Sequence, residues 1–556
     1  MGLFRKTLFL NFFLIISLSA LTSEESRILY LMHTKSIDTA LEAYFETSQE
    51  NISFTFLKQL CLSILNAGIQ SSDSETVQLT LMGAGLSASK ESLDILSKGI
   101  EKKEPHHQIA SLHFLAGLQD DQIDQMLLKA MRSDYLPVRL EACFYMAQRK
   151  HPHAIGHITA LMERIPRQFR PFFPQFFTIM NTYETNNILK AMLNDIDPNV
   201  RLETILSITG SRKDDFLPLL KQKKVVATIA EKEALCHAFG VFNDLSSIPF
   251  LKKEAENKQE MIALSAMISL YHLGDESIKT KIIQEALNEN PFAIAALGEI
   301  EGTEPVLRSL LSSQNLKTQI NAAIALLDKK DTACLPLISE ILIANEKDYG
   351  LQPHYSIGRS LMCWNIYPSF QRMLSKNPQE AAQISLMMKS VLLKKIMELP
   401  QPQFIQLVDQ IFLKNQKDIV PLALQLLENI QSDEAFALLE KYKKSVGSPF
   451  IRDYCHLSLF RINKDPNSRK YLYDWLKRET HTQFIQPKEK LLKSVQVANS
   501  NYELTMQEES SILIEIINAL VEDQQEETLK VLVEILCKGH PKNRFAIAGL
   551  LIRSLH

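Results

Sequence analysis

The stretch that decides the fold is DPNVRLETILSITG, residues 197–210. Asp197 suits the N-cap of a helix, Pro198 suits the first helical position, and Gly210 lies where the helix has to stop. The apolar residues that fall largely on one side of such a helix are Val200, Ile205, Leu206 and Ile208. The stretch therefore predicts an amphipathic helix with both of its ends marked.

The same pattern recurs along the chain. VRLE at 138–141 returns at 200–203, sixty-two residues later, and Phe169-Arg170 lies midway between them. Short motifs keep a spacing of about thirty-one residues from near residue 75 to the C-terminal end. A fixed period of this length is typical of stacked supersecondary units, because one such unit cannot bury its apolar face alone.

Each unit contains a second helix, which a proline marks. These prolines, several of them thirty-one residues apart, are Pro218, Pro249, Pro305, Pro336 and Pro421. Proline costs no hydrogen bond in the first turn of a helix, whereas deeper in the helix it would break it. Its position therefore predicts where each second helix begins.

The order of these landmarks resembles the HEAT-like repeat, and more narrowly the short bacterial variety first associated with phycobilisome lyases. Residues 195–201 and 210–218 carry the match best. The resemblance covers residues 75–340 and, more loosely, 420–556, and it fades between 345 and 415. It implies an all-α fold, a right-handed α–α superhelix (HEAT/armadillo-like solenoid) of about fifteen helix pairs.

Residues 1–23 have a different character. Arg5 and Lys6 precede an apolar run at 8–20, and small residues follow it. This order is typical of a secretory signal peptide, and we expect cleavage within residues 20–23. The sequence therefore predicts export to a bacterial periplasm or to the exterior, with no stable membrane span after cleavage. An uncleaved membrane anchor is the alternative.

Beyond this segment, the sequence predicts three parts. A HEAT-like solenoid occupies residues 24–476, a non-repetitive excursion occupies 477–510, and C-terminal helices at 511–556 cap the solenoid. The excursion is too long for a turn between helices, and segments of this kind are often functional. It could contain a short helix at 488–497.

Composition narrows the possible partners. The net charge of −3 and the pI near 6.6 provide no basic excess for nucleic acid. The lysines within residues 221–224 are expected to be solvated helix ends. The seven cysteines are widely spread among apolar residues, which predicts buried free thiols: Cys61, Cys143, Cys236, Cys334, Cys363, Cys455 and Cys537.

Arginines recur with the repeat, and four of them stand out: Arg139, Arg170, Arg201 and Arg452. The HEAT resemblance implies a structural ladder in which such arginines bond acidic or carbonyl groups of neighbouring repeats. The acids implied as partners are Asp134 and either Asp195 or Asp197. Guanidinium groups suit bidentate contacts of this kind. A stripe that binds anionic ligands is the alternative.

Four residues are candidates for contact with a partner. His153 and His157 share one face of a helix and are expected on its open side, because the nearby apolar residues take the core side. Two histidines are too few for a metal site. Trp475 and Phe484 lie at the excursion, and aromatic residues are enriched at interface hot spots. No catalytic, metal-binding or nucleotide motif is recognised, so no cofactor is expected.

These observations together predict an exported, non-enzymatic scaffold or adaptor that binds a protein partner along the concave face of its helical repeats. The alternatives are an enzyme related to the phycobilisome-lyase HEAT proteins and an envelope-anchored structural protein. The identity of the partner and the oligomeric state stay open at this stage.

Overall fold

The structure, a computed structural model, describes residues 22–34, 36–47, 53–343, 386, 389–445, 447–484, 508–523 and 525–555. Every regular element in these ranges is an α-helix or a short 3-10 helix. The predicted all-α class is therefore confirmed for the part of the chain that the structure describes. The chain divides into unit 1, residues 1–145 with 459–556, and unit 2, residues 146–458.

The helices before the first boundary are α1 (Ser23–Thr34), α2 (Ile37–Thr47), α3 (Phe54–Ile69), α4 (Ser74–Leu86), α5 (Leu93–Ile100), α6 (Pro105–Ala116), α7 (Gln122–Ala130) and α8 (Leu136–Gln148). Those of unit 2 are α9 (Ala154–Arg164), α10 (Phe173–Met180), α11 (Tyr183–Met192), α12 (Pro198–Gly210), α13 (Leu217–Lys223), α14 (Ile229–Val241), α15 (Ile248–Glu254), α16 (Glu260–His272), α17 (Lys279–Leu287), α18 (Pro291–Leu297), α19 (Glu304–Leu310), α20 (Leu316–Asp328), α21 (Leu335–Ile343), α22 (Gln401–Leu413), α23 (Val420–Glu428) and α24 (Asp433–Tyr442). The remaining helices are α25 (Pro449–Asn463), α26 (Pro466–Glu479), α27 (Glu508–Glu522), α28 (Glu526–Lys538) and α29 (Arg544–Ser554).

Helices of unit 2 pack as HEAT-like pairs. The first helices α10, α12, α14, α16, α18 and α20 contact one another in chain order, and the second helices from α15 to α19 each pack against the first helix that follows. A core thus forms between pairs rather than within one pair. The prediction of a HEAT-like helical repeat is confirmed by this arrangement.

The thirty-one-residue period has a backbone origin. A residue with positive φ follows the first helix of five successive pairs, one or two positions after its last residue. These residues are Lys150, Asn181, Arg212, Asn243 and Gly274. Each lies thirty-one positions after the previous one. The left-handed conformation reverses the chain so that the second helix can fold back. Its constant spacing keeps successive pairs in register.

The predicted helix ends agree closely with the structure. Asp197 caps α12 by accepting a hydrogen bond from the amide of Asn199 at 2.9 Å, and Pro198 is the first helical residue. Gly210 is the last residue of the helix, but the left-handed residue follows two positions later at Arg212. All five marker prolines occupy the second position of their helices, as predicted.

First helices are buried on more than one side, which the amphipathic pattern did not predict. The expected core residues of α12 are buried, and so are Thr204 and Thr209. Each threonine hydroxyl donates to a carbonyl oxygen of its own helix, that of Val200 at 2.6 Å and that of Ile205 at 2.7 Å. These polar side chains can therefore lie between neighbouring helices without an unsatisfied donor.

In unit 1 the C-terminal helix α29 packs against two helices from the N-terminal part of the chain. α29 contacts both α3 and α4, and the backbones meet where two glycines face each other. A Cβ atom added at Gly549 would overlap the carbonyl oxygen of Gly83, and one added at Gly83 would overlap that of Phe545. Only glycine permits this close approach.

Polar contacts surround the same junction. The Lys542 ammonium contacts the carboxylates of Asp73 at 2.5 Å and Glu75 at 3.2 Å, and Arg544 pairs with Asp38. The hydrogen bond from Lys542 holds the pKa of the Asp73 carboxyl at about 2. The predicted domain boundaries stay a prediction, but residues 526–554 complete the core of the N-terminal helices.

Several predictions fall partly outside the described residues. Residues 1–21 of the predicted signal peptide lie there, as do 485–507 of the excursion and Cys363. Among the helices that are described, none combines the length and the apolar character needed to cross a membrane.

The glycine junction gives a direct test of the packing in unit 1. Gly549→Ala should lower the free energy of unfolding by about 2 kcal/mol, because a methyl group there forces two backbones apart. Gly156→Ala is the matched control, since its Cβ would meet no atom within 4 Å inside α9. It should raise stability by about 0.5 kcal/mol through helix propensity. Urea unfolding followed by circular dichroism measures both changes, and an unchanged midpoint for Gly549→Ala would contradict the close contact.

Candidate partner-binding cleft

A cleft of about 280 Å³ opens in unit 2 between two successive inter-repeat loops. One loop joins α11 to α12, and the next joins α13 to α14. The residues that line the cleft are Leu193, Asn194, Asp195, Arg201, Ile205, Lys223, Val226, Ala227 and Glu231. Apolar and charged groups thus meet in one depression between neighbouring repeats.

The ion pair of Arg201 with Glu231 forms a wall of the cleft. Nε and Nη2 of Arg201 donate to the two oxygens of the carboxylate, at 2.6 and 3.2 Å. Nη1 donates to the carbonyl oxygens of Asp195 at 2.8 Å and Ile196 at 3.2 Å. This bidentate geometry fixes the guanidinium and ties each loop to the other.

Glu231 also fixes the start of α14. Its carboxylate accepts from the Thr228 amide at 2.7 Å, and the Thr228 hydroxyl accepts from the Glu231 amide, which makes a capping box. Burial opposes ionisation of this carboxyl, but the hydrogen bonds from Arg201 and Thr228 outweigh it and hold its pKa below the ordinary value. The side chain is therefore a structural anion at neutral pH.

The rim of the cleft and its two loops expose aliphatic side chains. Val225 is 88% exposed, Ile196 is 86% exposed, Val226 is 73% exposed and Ile229 is 57% exposed. Single exposed apolar residues are common, but a group of four in two successive loops and at the start of α14 is typical of a binding surface. We call these four residues the aliphatic rim.

Two lysines fix the loop that carries most of this rim. Lys223 donates to the side chain of Asn194, and Lys224 Nζ lies between the rings of Phe239 and Phe250, 4.5 and 4.8 Å from their centroids. These lysines lie at the end of α13, as expected, but both are half-buried and bridge neighbouring elements rather than being fully solvated. With its start fixed by these lysines and its end by the capping box of α14, the loop holds Val225 and Val226 outward.

The size of the cleft limits what it can hold. Its volume falls just below the range of about 300–1,000 Å³ that is usual for small-molecule sites. It suits one or two side chains of a polypeptide better than a complete cofactor. Within the described ranges, no group of three or more His, Cys, Asp or Glu side chains could hold a metal ion.

The other repeated arginines make related but weaker contacts. Nη1 of Arg139 donates to the carbonyl oxygen of Ser133 at 2.7 Å, and Nη2 of Arg170 donates to that of Glu163 at 3.3 Å. Nε of Arg452 donates to the adjacent Asp453 at 3.2 Å. Arg139 and Arg170 thus bond carbonyl groups, while Arg201 also bonds the Glu231 carboxylate and Arg452 bonds that of Asp453.

A second charge ladder was not anticipated from the sequence. A cation in the second helix pairs with an aspartate twenty-three positions later, in the turn of the next repeat. The pairs are Lys221–Asp244 at 2.9 Å, Lys252–Asp275 at 3.3 Å and Arg308–Asp331 at 2.6 Å. The signal was present, because Lys221 and Lys252, like Asp244 and Asp275, are thirty-one residues apart.

The predicted histidine pair lies in another part of unit 2. His153 is exposed at the start of α9, and His157 is half-buried one turn later. The ring of His153 lies 5.4 Å from that of His151. The exposure of His153 agrees with the expected open face. A role of either histidine in partner binding stays a prediction.

The two predicted aromatic residues meet in unit 1. Trp475 is only 2% exposed, and its ring contacts that of Phe484 edge to face at 5.1 Å. The Phe484 amide donates to the side chain of Asn543 at 3.0 Å, next to the start of α29. The described contacts of this pair are thus within the core of unit 1, and its role in binding a partner stays a prediction.

The buried thiols and one half-buried acid have shifted pKa values. The six cysteines in the described residues are free and buried, as expected. Burial raises the pKa of the Cys334 and Cys537 thiols to about 12, so both are protonated at neutral pH. Burial also raises the pKa of Glu141 to about 7, against the opposing hydrogen bond from Tyr145.

Sequence reasoning missed the cleft itself. Its one signal was the presence of aliphatic residues where other repeats have polar turns: Ile196 between two aspartates, and Val225-Val226 after a run of lysines. The five positions that lie thirty-one residues after 225–229, residues 256–260, are all polar or charged. A comparison of loops between repeats could therefore have located the rim.

Comparison with known proteins gives the following likenesses. No protein-family model matches the chain, and no curated protein matches it. The complex of CpcE and CpcF of phycocyanin lyase from Nostoc sp. PCC7120 is similar at 16% identity, over 40% of this chain and 94% of that chain, with a TM-score of 0.29. A mutant of Kap121p is similar at 12% identity and a TM-score of 0.28, over 96% of this chain, which spans 65% of the Kap121p chain.

The ion pair at the cleft wall should be essential for its shape. Arg201→Ala should lower the free energy of unfolding by about 3 kcal/mol, because it leaves the buried Glu231 carboxylate without its cation. Arg164→Ala is the control, since that side chain is exposed at the end of α9 and its loss should change stability by less than about 0.5 kcal/mol. Urea unfolding of the two variants distinguishes them, and equal midpoints would mean that the pair contributes little.

Proposed function

We propose that this protein is an exported, non-enzymatic scaffold or adaptor, and that the cleft at residues 193–231 is where it binds a segment of a partner protein. HEAT-like repeats provide long, regular surfaces for such contacts. The single observation that carries the proposal is the aliphatic rim beside the cleft, since apolar groups exposed in this way are usually covered by a partner.

The fixed backbone of the cleft supports the same conclusion. Arg201 and Glu231 join the two loops, while Lys223 and Lys224 fix the second loop at its base. A site that is held in its binding geometry loses less conformational entropy when it binds. This rigidity favours a specific contact over nonspecific association.

An enzyme is the competing proposal, and Glu141 is the observation that favours it. A carboxyl group with a pKa of about 7 can donate or accept a proton at neutral pH. Its hydrogen-bond partner is Tyr145, and burial raises the pKa of that phenol well above its ordinary value. Tyr145 is therefore protonated and is not activated as a nucleophile, so we place this proposal second.

Site-specific crosslinking tests the binding proposal. A photocrosslinking amino acid incorporated at Val226, in the protein expressed in its source organism, should give discrete protein adducts on irradiation, because this position lies at the mouth of the cleft. The adducts are detected by a shift on denaturing gels and identified by mass spectrometry.

The same amino acid incorporated at Leu413 serves as the control, since this residue is also exposed but lies at the end of α22. If both positions give the same adducts, or if Val226 gives none, the cleft is not a protein-binding site.

Export is part of the proposal and is supported by residues 1–23. Cleavage within residues 20–23 would leave α1, which begins at Ser23, essentially complete. Mass spectrometry of the mature protein should therefore find an N-terminal residue between positions 21 and 24 in the exported fraction. An intact Met1 on a membrane-bound form would favour the anchored alternative instead.

A further inference from the structure

We propose that the partner segment is an extended acidic peptide that carries aliphatic side chains, and this inference depends on the proposed function of the cleft. An aliphatic side chain would enter the cleft beside Val226, while neighbouring carboxylates would face the basic side chains around it. Three features of the site carry the inference: the aliphatic rim, the local excess of cations and the shape of the cleft.

The apolar part of the site selects aliphatic groups. Leu193 and Ile205 lie buried at the inner side of the cleft, and Val226 and Ala227 line it further out. Covering the apolar surface of one such side chain contributes about 1.5–3 kcal/mol. The small volume favours one leucine- or valine-sized group over a large aromatic group or a folded element.

The charge around the cleft selects carboxylates. The segments 163–170, 194–201 and 221–232 contain eight lysines and arginines and four acidic residues. Two further acids, Asp244 and Glu254, pair with Lys221 and Lys232, which leaves a balance of eight to six. The chain as a whole has the opposite balance, with a net charge of −3. A local basic surface on an acidic protein favours an acidic partner over a basic one.

We expect two of these cations to meet the peptide. Arg164 ends α9 and Arg167 begins the 3-10 helix at 167–172, which contacts α12, and both side chains are exposed. Arg201 is not available, because Glu231 and two carbonyl groups occupy its donors. The acidic residues of the peptide are therefore expected on the side of the cleft toward Arg164 and Arg167.

An anionic membrane could also attract cations and aliphatic groups. Membrane surfaces are usually bound by a broad amphipathic face that inserts into the lipid. Here Val226 borders a concave cleft whose inner wall is the ion pair of Arg201 and Glu231, a shape that fits a protruding side chain. The geometry therefore favours a peptide, and lipid binding becomes an outcome of the test.

The test uses the purified full chain and fluorescence anisotropy with three synthetic labelled peptides. The first contains a Leu-Leu pair flanked by glutamates, the second replaces the glutamates with lysines, and the third replaces the leucines with serines. The first should bind at least roughly tenfold more tightly than either of the others. Its affinity should fall as salt is added, since ionic strength screens exposed charges.

Matched variants locate the binding site. Val226→Asp should weaken binding of the first peptide roughly tenfold or more, because it places a carboxylate at the aliphatic rim. Arg164→Glu combined with Arg167→Glu should abolish the preference for glutamate over lysine. Leu413→Asp, at another exposed aliphatic position of unit 2, should leave the affinity unchanged. All four positions are exposed, so these variants are expected to fold.

Several outcomes would overturn the inference. Equal binding of the lysine peptide would remove the acidic preference, and an unchanged affinity of Val226→Asp would remove the cleft from the contact. Binding to phosphatidylserine vesicles, or self-association, that Val226→Asp abolishes would assign the rim to lipid or to a second copy. If Val226 crosslinks to proteins but the acidic peptide does not bind, this inference fails while the proposed function stands.

Discussion

In the described series from α10 to α20, each helix pair depends on the next pair to complete its core. The first helices bury residues on more than one side, so that α14 lies between α12 and α16 and contacts both of them. This arrangement requires that successive pairs keep the same rotation and spacing. The left-handed residue at every thirty-first position, from Lys150 to Gly274, provides that regularity. Ion pairs of the second charge ladder, such as Lys221–Asp244, then connect the second helix of one pair to the turn of the next pair. Once this constraint is met, the loops between pairs have few restrictions and can differ from repeat to repeat.

The local part of this fold could be predicted from the sequence. Helix starts and ends depend on residues within a few positions of each other, so Asp197 and Pro198 marked α12 correctly and the prolines marked the second helices. The 3-10 turns, such as the one at 214–216, were missed because no single residue type specifies them. The packing of α29 against α3 and α4 was missed for a different reason. It joins residues more than four hundred positions apart, and its key residues, Gly83 and Gly549, act through an absence of side chain.

The candidate site was harder to predict than the fold, because the most regular residues are also the most structural. Arg201 recurs with the repeat, and in the structure its donors are occupied by Glu231 and by carbonyl groups. Periodicity therefore directs attention to the ladder and away from the proposed binding surface. Trp475 shows the same limit, since an aromatic residue beside an irregular segment could be a core residue or an anchor, and it is buried. The rim residues Ile196 and Val226 break the pattern of their own loops, and that break is a better guide to function than recurrence.

The exposure of the aliphatic rim has an energetic meaning. Leaving a Val or Ile side chain in water forgoes about 1.5–3 kcal/mol compared with burying it, so four such residues represent a large fraction of a typical unfolding free energy. The equivalent loop at 256–260 shows that a polar sequence satisfies the same turn. The repeat itself therefore does not require Val225 and Val226. Meanwhile, Lys224 and Glu231 hold this loop in one conformation, which prevents the valines from folding inward. A loop that is rigid, apolar and unnecessary for the core is therefore the feature on which the proposed binding site depends.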